Sequence, residues 1–225
     1  MASVARPPKQ QRSRDSQERL LYAGLELLEE EGFDGFTIAA VAKRAGVGVA
    51  LVYRRYADKD AFLAALLRRF TDETVTALEP EIAALDSTDR GLEGLVTDLV
   101  DVVASMFRDR ENLMRAFMAL NRGTPALSSA VQEGIGTLTS LMEPVLLGRR
   151  SEFRCTDPEF AVAFCSHLTL VTFAALVATH GADSEIRWEA TAGPLSAMTL
   201  AYLRAEPTSA CLAHFNGGLH EVGHG

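Results

Sequence analysis

Cysteine and tryptophan are scarce in this chain of 225 residues, which has three cysteines and one tryptophan. Three cysteines cannot form a closed set of disulfides, so the stapled scaffold of a small secreted protein is excluded and a reducing cytosol is expected. The first twenty residues include basic groups but no apolar run of signal-peptide length. The sequence therefore predicts a cytoplasmic protein.

Charged residues are missing from one long stretch. Residues 160–180 contain no Asp, Glu, Lys or Arg, and about 18 such residues are enough for a candidate transmembrane helix. The stretch is rich in Ala and Thr, holds His167 near its middle and has no flanking Lys/Arg cluster that would orient it. These features favour a helix that is buried on all sides by protein over a helix that spans a membrane. A subunit interface is a natural way to bury such a helix.

The net charge of −8 argues against nucleic acid as a partner of the whole surface, but the charge is unevenly distributed. Residues 1–60 hold ten Lys/Arg against nine acids, whereas residues 61–225 hold twelve against twenty-one. The first fourteen residues carry four basic groups and no acid. A nearly neutral head on an acidic body is what a local contact with a polyanion requires.

Apolar residues recur at helical steps throughout the chain, and no segment alternates as a half-buried strand does, so we predict an all-α fold. A disordered basic arm is expected over residues 1–13, and a first helix is expected from about residue 15 to Gly32. Breaks between the later helices are expected near Pro80, residues 86–91, Asp109, residues 123–125, residues 148–158 and residues 181–184.

Residues 33–62 read FDGFTIAAVAKRAGVGVALVYRRYADKDAF. Thr37 is a good N-cap for a short helix that ends at Gly46, and a second short helix follows from Val49 to about Tyr56. Two short helices joined by a tight turn are typical of a helix-turn-helix, whose second helix enters the major groove of DNA. A plain helical hairpin has the same spacing, so the spacing alone leaves both readings open.

The order of residues in this stretch resembles the TetR family of bacterial transcriptional regulators. The residues that match the family pattern in register are Gly32, Phe33, Thr37, Ile38, Val41, Ala42, Ala45, Gly46, Val47, Tyr53, Tyr56, Lys59 and Asp60. The resemblance implies a three-helix helix-turn-helix DNA-binding domain over residues 14–60. It also implies a helical ligand-binding and dimerisation domain over residues 61–205, followed by a flexible tail over residues 206–225.

The resemblance implies that the helix-turn-helix contacts double-stranded operator DNA. The candidate contacts are Thr37, Lys43, Arg44, Gly48, Val49, Ala50, Leu51, Tyr53, Arg54, Arg55 and Lys59. Phosphate roles suit Thr37, Tyr53 and Lys59. The alternatives are an N-cap without DNA contact for Thr37, a partly buried packing residue for Tyr53 and a solvated charge for Lys59.

Departures from the family pattern fall where specificity is set. Gly48 stands where the family usually has Ser, so a side-chain cap is absent there, and Leu51 stands at a frequent Thr. Val49, Ala50 and Leu51 offer only apolar contacts, for example to thymine methyl groups. We expect one of Arg54 and Arg55 to read guanine and the other to hold phosphate. The basic arm either follows phosphates or enters the minor groove, or serves only as a solubilising tail.

The resemblance also implies a small-molecule effector and a homodimer formed through the two C-terminal helices. A mostly apolar binding cavity is expected from Phe107, Met114, Phe117, Met118, Asn121, Leu138, Met142, Phe164 and His167. The alternative is that most of these residues are simply the core of a helix bundle. Asn121 and His167 are polar and need a partner, which a ligand would supply.

The leading hypothesis is a ligand-responsive repressor that leaves its operator when a mostly apolar effector binds. The alternative is a helical ligand-binding or membrane-associated protein whose helix-turn-helix no longer reads DNA. We find no catalytic motif and expect neither an enzyme nor a cofactor. The tail contains Cys211, His214, His220 and His224 at an imperfect metal-binding spacing, so no metal site is predicted. A nucleoid association is expected when DNA is bound.

Overall fold

The computed structural model describes residues 9–33, 35–85, 90–120, 125–180 and 186–206, and this part of the chain is helical without strands. Its α-helices are α1 (Lys9–Glu31), α2 (Ile38–Arg44), α3 (Val49–Arg55), α4 (Lys59–Leu85), α5 (Gly91–Asp109), α6 (Glu111–Leu120), α7 (Pro125–Leu147), α8 (Pro158–Thr179) and α9 (Trp188–Leu203). A 3₁₀ turn, Arg150–Glu152, lies between α7 and α8. The predicted all-α fold is confirmed.

The first three helices and the start of α4 form a small head, whose buried side chains are continuous with the core of the body. The side chains of Leu28, Val41 and Val52, one from each of the first three helices, are buried with Phe62 of α4. The closest approach is between α1 and α4 at Gly24, where an added Cβ would lie 2.7 Å from a methyl group of Leu66. A larger residue there would have to displace a fully buried leucine.

The first helix begins at Lys9, so residues 9–13 are helical and the predicted arm is too long. The reason is that a search for apolar periodicity cannot detect a polar extension of a helix, although Lys, Gln and Arg are good helix formers. The remainder of the predicted arm, residues 1–8, and nearly all of the predicted tail, from residue 207 onward, lie outside the described residues.

Helix α4 links the head to the body without interruption. The predicted break near Pro80 is wrong, because the helix continues to Leu85. Proline removes one backbone hydrogen bond from a helix, and here the last turns are held by Ile82, whose side chain is buried. Pro144 within α7 and Pro194 within α9 are accommodated in the same way inside continuous helices.

Helices α4 to α9 form the body. The longest packing interface in the body runs between α4 and α7, while α8 packs against α7, α6 and α5, and α9 packs on α5. Phe107 of α5, Phe173 of α8 and Trp188 of α9 meet at the centre, with ring centroids about 6 Å apart. The body core is thus built from the inner sides of helices that each follow the 3.6-residue period.

The outer side of α8 is exposed in the single chain, so the expected burial of this helix on all sides would require a second subunit. Phe160, Phe164 and Val171 of α8 form one apolar surface with Met198 and Tyr202 of α9. Met198 is 60% exposed. Among the described residues, α8 is the one helix long and apolar enough to cross a membrane, and 44% of its most apolar stretch is buried in the chain.

Candidate functional site

The turn between α2 and α3 is fixed by caps that the sequence predicts. The Oγ1 atom of Thr37 accepts a hydrogen bond from the backbone N–H of Ala40 at 3.1 Å, which confirms the N-cap. At the other end of α2, Gly46 has a φ of 66°, and the N–H of Val47 donates to the carbonyl of Ala42 at 2.9 Å. A positive φ favours glycine, so the turn depends on Gly46.

Helix α3 presents one face to the core and the opposite face to solvent. It begins after Gly48, which has a φ of −77° and provides no side-chain cap. Val52 is buried and Leu51 is half-buried against the core, whereas Val49, Ala50, Tyr53 and Arg54 are exposed. The side chain of Tyr53 is 53% exposed, so the alternative of a partly buried packing residue is not supported.

The two arginines at the end of α3 differ in their surroundings. Arg55 donates hydrogen bonds to Gln17 and to Ser13 on the first helix. Arg54 is exposed and has no hydrogen bond or ion pair with any residue that the structure describes. The contacts of Arg55 could not be predicted from the sequence, because they join positions that are about 40 residues apart and carry no periodic signal.

Lys59 is not the solvated charge that was considered as its alternative role. Its Nζ atom donates to the carbonyl of Phe36 at 3.0 Å and lies 4.4 Å from the ring centroid of Phe33. The ammonium group is thus held over an aromatic ring by a cation–π contact. This arrangement joins the start of α4 to the segment that precedes α2.

The remaining basic candidates lie at the end of α2. Lys43 is exposed and makes no ion pair within the described ranges. Arg44 donates a hydrogen bond to the carboxylate of Glu30 at 2.7 Å, and this bond raises the pKa of the guanidinium. Near α3, burial raises the pKa of Tyr56, whose ring packs 4.9 Å from that of Phe62. Tyr56 therefore supports the core rather than a DNA contact.

A second candidate site is an apolar cavity of about 50 Å³ in the body. Helices α4 to α8 all contribute to its lining, which consists of Leu67, Phe70, Thr71, Phe107, Met114, Met118, Ala130, Val131, Gly134, Ile135, Leu138, Leu170 and Ala174. None of these side chains is ionisable. Four of the predicted ligand residues line the cavity, namely Phe107, Met114, Met118 and Leu138.

The other predicted ligand residues do not line this cavity. Phe117 is fully buried in the core, 5.9 Å from the ring of Phe70. The predicted positions of Phe164 and His167 in the cavity are wrong, because both side chains are exposed on the outer stripe of α8. The inner stripe, which reaches the cavity through Leu170, is out of phase with them. Asn121 lies outside the described residues.

Met142 lines a smaller space of about 10 Å³ between α5, α7, α8 and α9. Cys165, Ser166 and Thr199 also line it. Burial raises the pKa of the Cys165 thiol to about 11, so the sulfur is protonated at neutral pH and is a poor nucleophile. In the described ranges no three His, Cys, Asp or Glu residues cluster to hold a metal. The cysteine and histidines of the tail lie outside those ranges.

Comparisons with known proteins agree with the geometry of the head. Residues 20–66 match the family described as bacterial regulatory proteins, tetR family. The chain is 34% identical over 80 residues to the HTH-type transcriptional regulator BetI of Escherichia coli O127:H6 (strain E2348/69 / EPEC). That match covers 35% of this chain and 41% of BetI, so the chain spans about two fifths of the length of this relative.

Solved structures show the likeness of the whole fold. A TetR-family repressor FadR from Thermus thermophilus, solved in complex with lauroyl-CoA, superimposes with a TM-score of 0.64 at 17% identity, over 86% of this chain and 97% of that one. A TetR transcription regulator from Haloarcula marismortui gives a TM-score of 0.63 at 19% identity, over 84% of this chain and 97% of that one. Identities this low show similarity of fold alone.

Serine at position 48 is expected to stabilise the protein. Gly48 has an ordinary φ of −77° and no atom within 4 Å of an added Cβ. A serine hydroxyl can cap α3, and the loss of glycine restricts the unfolded chain, so Gly48→Ser is expected to raise the free energy of unfolding by about 0.5–1 kcal/mol. Equilibrium urea unfolding measures this change.

Gly46→Ser is the matched control. Its φ of 66° penalises any residue with a Cβ, and the free energy of unfolding is expected to fall by about 1–2 kcal/mol. Equal effects of the two substitutions would show that the turn does not have the described geometry.

Proposed function

We propose that the chain is a sequence-specific transcriptional regulator of the TetR type whose DNA binding responds to a small molecule, because residues 20–66 match the model of the tetR family of bacterial regulatory proteins. The observation that carries the proposal is the outer face of α3. Val49, Ala50, Tyr53 and Arg54 are exposed there on a helix fixed from behind by the buried side chain of Val52. Such a regulator acts in the cytoplasm, and no catalytic chemistry is assigned to it.

Each exposed group on α3 has a natural partner on double-stranded DNA. The free guanidinium of Arg54 can donate two hydrogen bonds to O6 and N7 of a guanine. Val49 and Ala50 can pack on thymine methyl groups, and the Tyr53 hydroxyl can donate to a phosphate. We assign base reading to Arg54 because it is the arginine of α3 without a partner among the described residues.

Groups at the edges of the motif would hold the DNA backbone. The Thr37 hydroxyl accepts a bond from Ala40, and its own proton remains available for a phosphate oxygen. Lys43 adds an exposed positive charge at the end of α2. The ammonium group of Lys59 already contacts the carbonyl of Phe36 and the ring of Phe33. We therefore propose that Lys59 mainly positions the helix-turn-helix and that its charge contributes only weakly to phosphate binding.

We propose that the chain forms a homodimer through α8 and α9. Two features of the outer surface of these helices support this proposal. First, Phe160, Phe164, His167 and Val171 follow one another at three- and four-residue steps along the exposed side of α8. Second, the small residues Gly193, Ala197 and Ala201 follow one another at four-residue steps on the exposed side of α9, where a partner helix can approach closely. A two-fold dimer would present two α3 helices to half-sites about one helical turn of DNA apart.

The effector is proposed to be uncharged and apolar, because no ionisable side chain lines the cavity. The Thermus thermophilus repressor was solved with lauroyl-CoA, which has a long apolar chain. In this protein the cavity offers nothing to pair with a charged head group. An effector that carries a charge would have to place it outside the cavity, since an unpaired buried charge is very costly.

The size of the cavity suggests how an effector acts. A volume of about 50 Å³ is smaller than the ~150 Å³ cavity known to admit benzene. Binding therefore requires the cavity walls to separate. One wall is α4, through Leu67, Phe70 and Thr71, and α4 also carries the head. A ligand that prefers the separated state would shift the heads and weaken DNA binding, which is the behaviour of a repressor that is released by its effector.

DNA binding can be tested with duplexes selected from a random-sequence pool by the wild-type chain. Arg54→Ala is expected to weaken binding to the selected duplex about 5- to 150-fold while leaving a scrambled duplex nearly unaffected, because a base contact is lost. Tyr53→Ala is expected to weaken binding to both duplexes by about tenfold, since a phosphate contact carries no sequence information. Fluorescence anisotropy measures each affinity.

Arg68→Ala is the control for these variants, because Arg68 lies in the body part of α4 and pairs with Glu133 at 2.7 Å. The affinity of the Arg68→Ala variant for each duplex should equal that of the wild type. Failure of the wild-type chain to select any sequence would contradict the proposed function, whereas equal losses on both duplexes in Arg54→Ala would contradict base reading by that residue.

The proposed dimer predicts that Phe164→Glu separates the subunits. The side chain is 45% exposed in the single chain and stacks near Tyr202, at 5.6 Å between centroids. A carboxylate buried at a two-fold interface would face its own copy, so sedimentation at micromolar concentration should show a dimer for the wild type and a monomer for the variant. Tyr22→Ser changes an even more exposed aromatic residue, on α1, and should stay dimeric. A monomeric wild type would refute the assembly.

Naphthalene and 2-naphthoate form a matched pair of probes for the cavity. The neutral compound is expected to raise the melting temperature of the protein and to release it from the selected duplex, because a ligand stabilises the state that it binds. The carboxylate is expected to do neither. Ala174→Val narrows the cavity and should weaken the response to naphthalene. Stabilisation by 2-naphthoate alone would show that the effector class is wrong.

A further inference from the structure

Arg55 forms a bridge between the end of α3 and the first turns of α1. Its Nη1 atom donates to Oε1 of Gln17 at 2.8 Å, and its Nη2 atom donates to Oγ of Ser13 at 2.6 Å. Nη2 also donates to the backbone carbonyl of Ser13. All three acceptors are uncharged oxygens, so these contacts do not neutralise the positive charge of the guanidinium.

The segment that Arg55 holds has no apolar anchor of its own. The buried stripe of α1 starts at Leu20, and the side chains of Ser13, Arg14 and Gln17 are exposed. Exposed first turns of a helix fray readily when nothing packs on them. A guanidinium with three hydrogen bonds to two successive turns is therefore well placed to keep this part of α1 folded against the end of α3.

The held segment is also strongly basic. The four-residue step that relates Gln17 to Ser13 leads on to position 9, which is a lysine, and Arg12 and Arg14 flank Ser13. No acidic residue precedes Asp15. The first turns of α1 are thus rich in basic residues, and Arg55 ties Ser13 and Gln17 of this segment to the end of the helix whose exposed face is proposed to meet DNA.

We propose that Arg55 is a positioning residue, which fixes the basic start of α1 beside α3 so that this segment contacts DNA phosphates. The proposal rests on the proposed function. It replaces base reading by Arg55, because a bidentate contact with guanine needs two donors that point the same way, and both terminal nitrogens of Arg55 are already directed at α1. Arg54, one residue earlier, has no such engagement.

The bridge itself can be tested without DNA. In Arg55→Ala, the amide hydrogens of residues 13–19 are expected to exchange with solvent at least about tenfold faster than in the wild type, because local opening becomes easier. Exchange in α2 and α4 should not change. Arg54→Ala is the matched control and should leave exchange in α1 at the wild-type rate. Unchanged exchange in Arg55→Ala would overturn the bridge.

The consequence for DNA is tested with a duplex of random sequence, because phosphate contacts do not depend on the bases. Affinity is measured between about 50 mM and about 200 mM salt, where the logarithm of affinity falls with a slope of about 0.9 per neutralised phosphate. Arg55→Ala in the full chain is expected to flatten this slope by about one to two phosphates. Arg55→Lys should restore little of the lost slope, because an ammonium group cannot bond to both Ser13 and Gln17 as the guanidinium does.

Deletion of residues 2–12 separates an indirect role of Arg55 from a direct one. The shortened chain keeps Ser13 and Gln17 but lacks Arg6, Lys9 and Arg12. The salt slope of the shortened chain should be flatter than that of the full chain. In the shortened chain, Arg55→Ala should flatten the slope clearly less than it does in the full chain. An equal effect in both chains, or full rescue by Arg55→Lys, would mean that Arg55 itself contacts phosphate and would overturn the positioning role.

These outcomes separate the inference from the function on which it rests. A wild-type chain that binds no duplex even at about 50 mM salt would overturn both. A wild-type chain that binds with a normal salt slope, together with an unchanged slope in Arg55→Ala, would overturn the inference alone.

Discussion

One helix packs in both the head and the body of a single continuous core, and the rest of the structure depends on that constraint. The first half of α4 places Phe62 and Leu66 in the core of the head, where Gly24 lets α1 come close. One residue beyond Leu66, Leu67 already lines the cavity of the body, followed by Phe70 and Thr71. No flexible connection lies between these side chains, since α4 is continuous from Lys59 to Leu85. Close-packed helices move as rigid bodies rather than deform, so a displacement at the cavity must reach the head.

The sequence predicts the head better than the body, and the difference has a physical cause. The turn needs a glycine at position 46 because φ is positive there, and α2 needs a capping side chain at position 37. Such local requirements leave a signature of residue types at a fixed spacing in the sequence. The inner and outer sides of α8 leave no such signature, because apolar residues lie on both sides of that helix along its length. Apolar character alone therefore could not tell that Leu170 reaches the cavity and that Phe164 does not. The error at Pro80 has the same origin, because packing of the later turns of α4 decided it, whereas the start of α1 was missed because its first turns contain no apolar residue.

The contrast in charge between the two parts of the molecule follows from what each is proposed to touch. The head keeps Arg54 and Lys43 exposed and without partners among the described residues, while Arg44 and Arg69 are paired with carboxylates on or near α1. The pairs limit the positive charge of the head to the neighbourhood of α3. In the body the surface is acidic, yet no ionisable side chain lines the cavity. Repulsion between an acidic body and DNA would help to orient the molecule so that the side of the head that carries α3 approaches the duplex.

The cavity of the body and the exposed apolar surface of α8 and α9 impose opposite demands on α8. Leu170 and Ala174 of α8 line the cavity, while Val171, between them in sequence, belongs to the outer surface. If the outer surface is held by a second copy, α8 cannot move outward when the cavity fills. The wall that can yield is then α4, whose contacts with α7 include the close approach of Gly134 to Thr71, 2.9 Å from an added Cβ to Oγ1. A dimer would thus direct the expansion toward the helix that carries the head, and a monomer would lose part of its response to an effector even with an intact cavity.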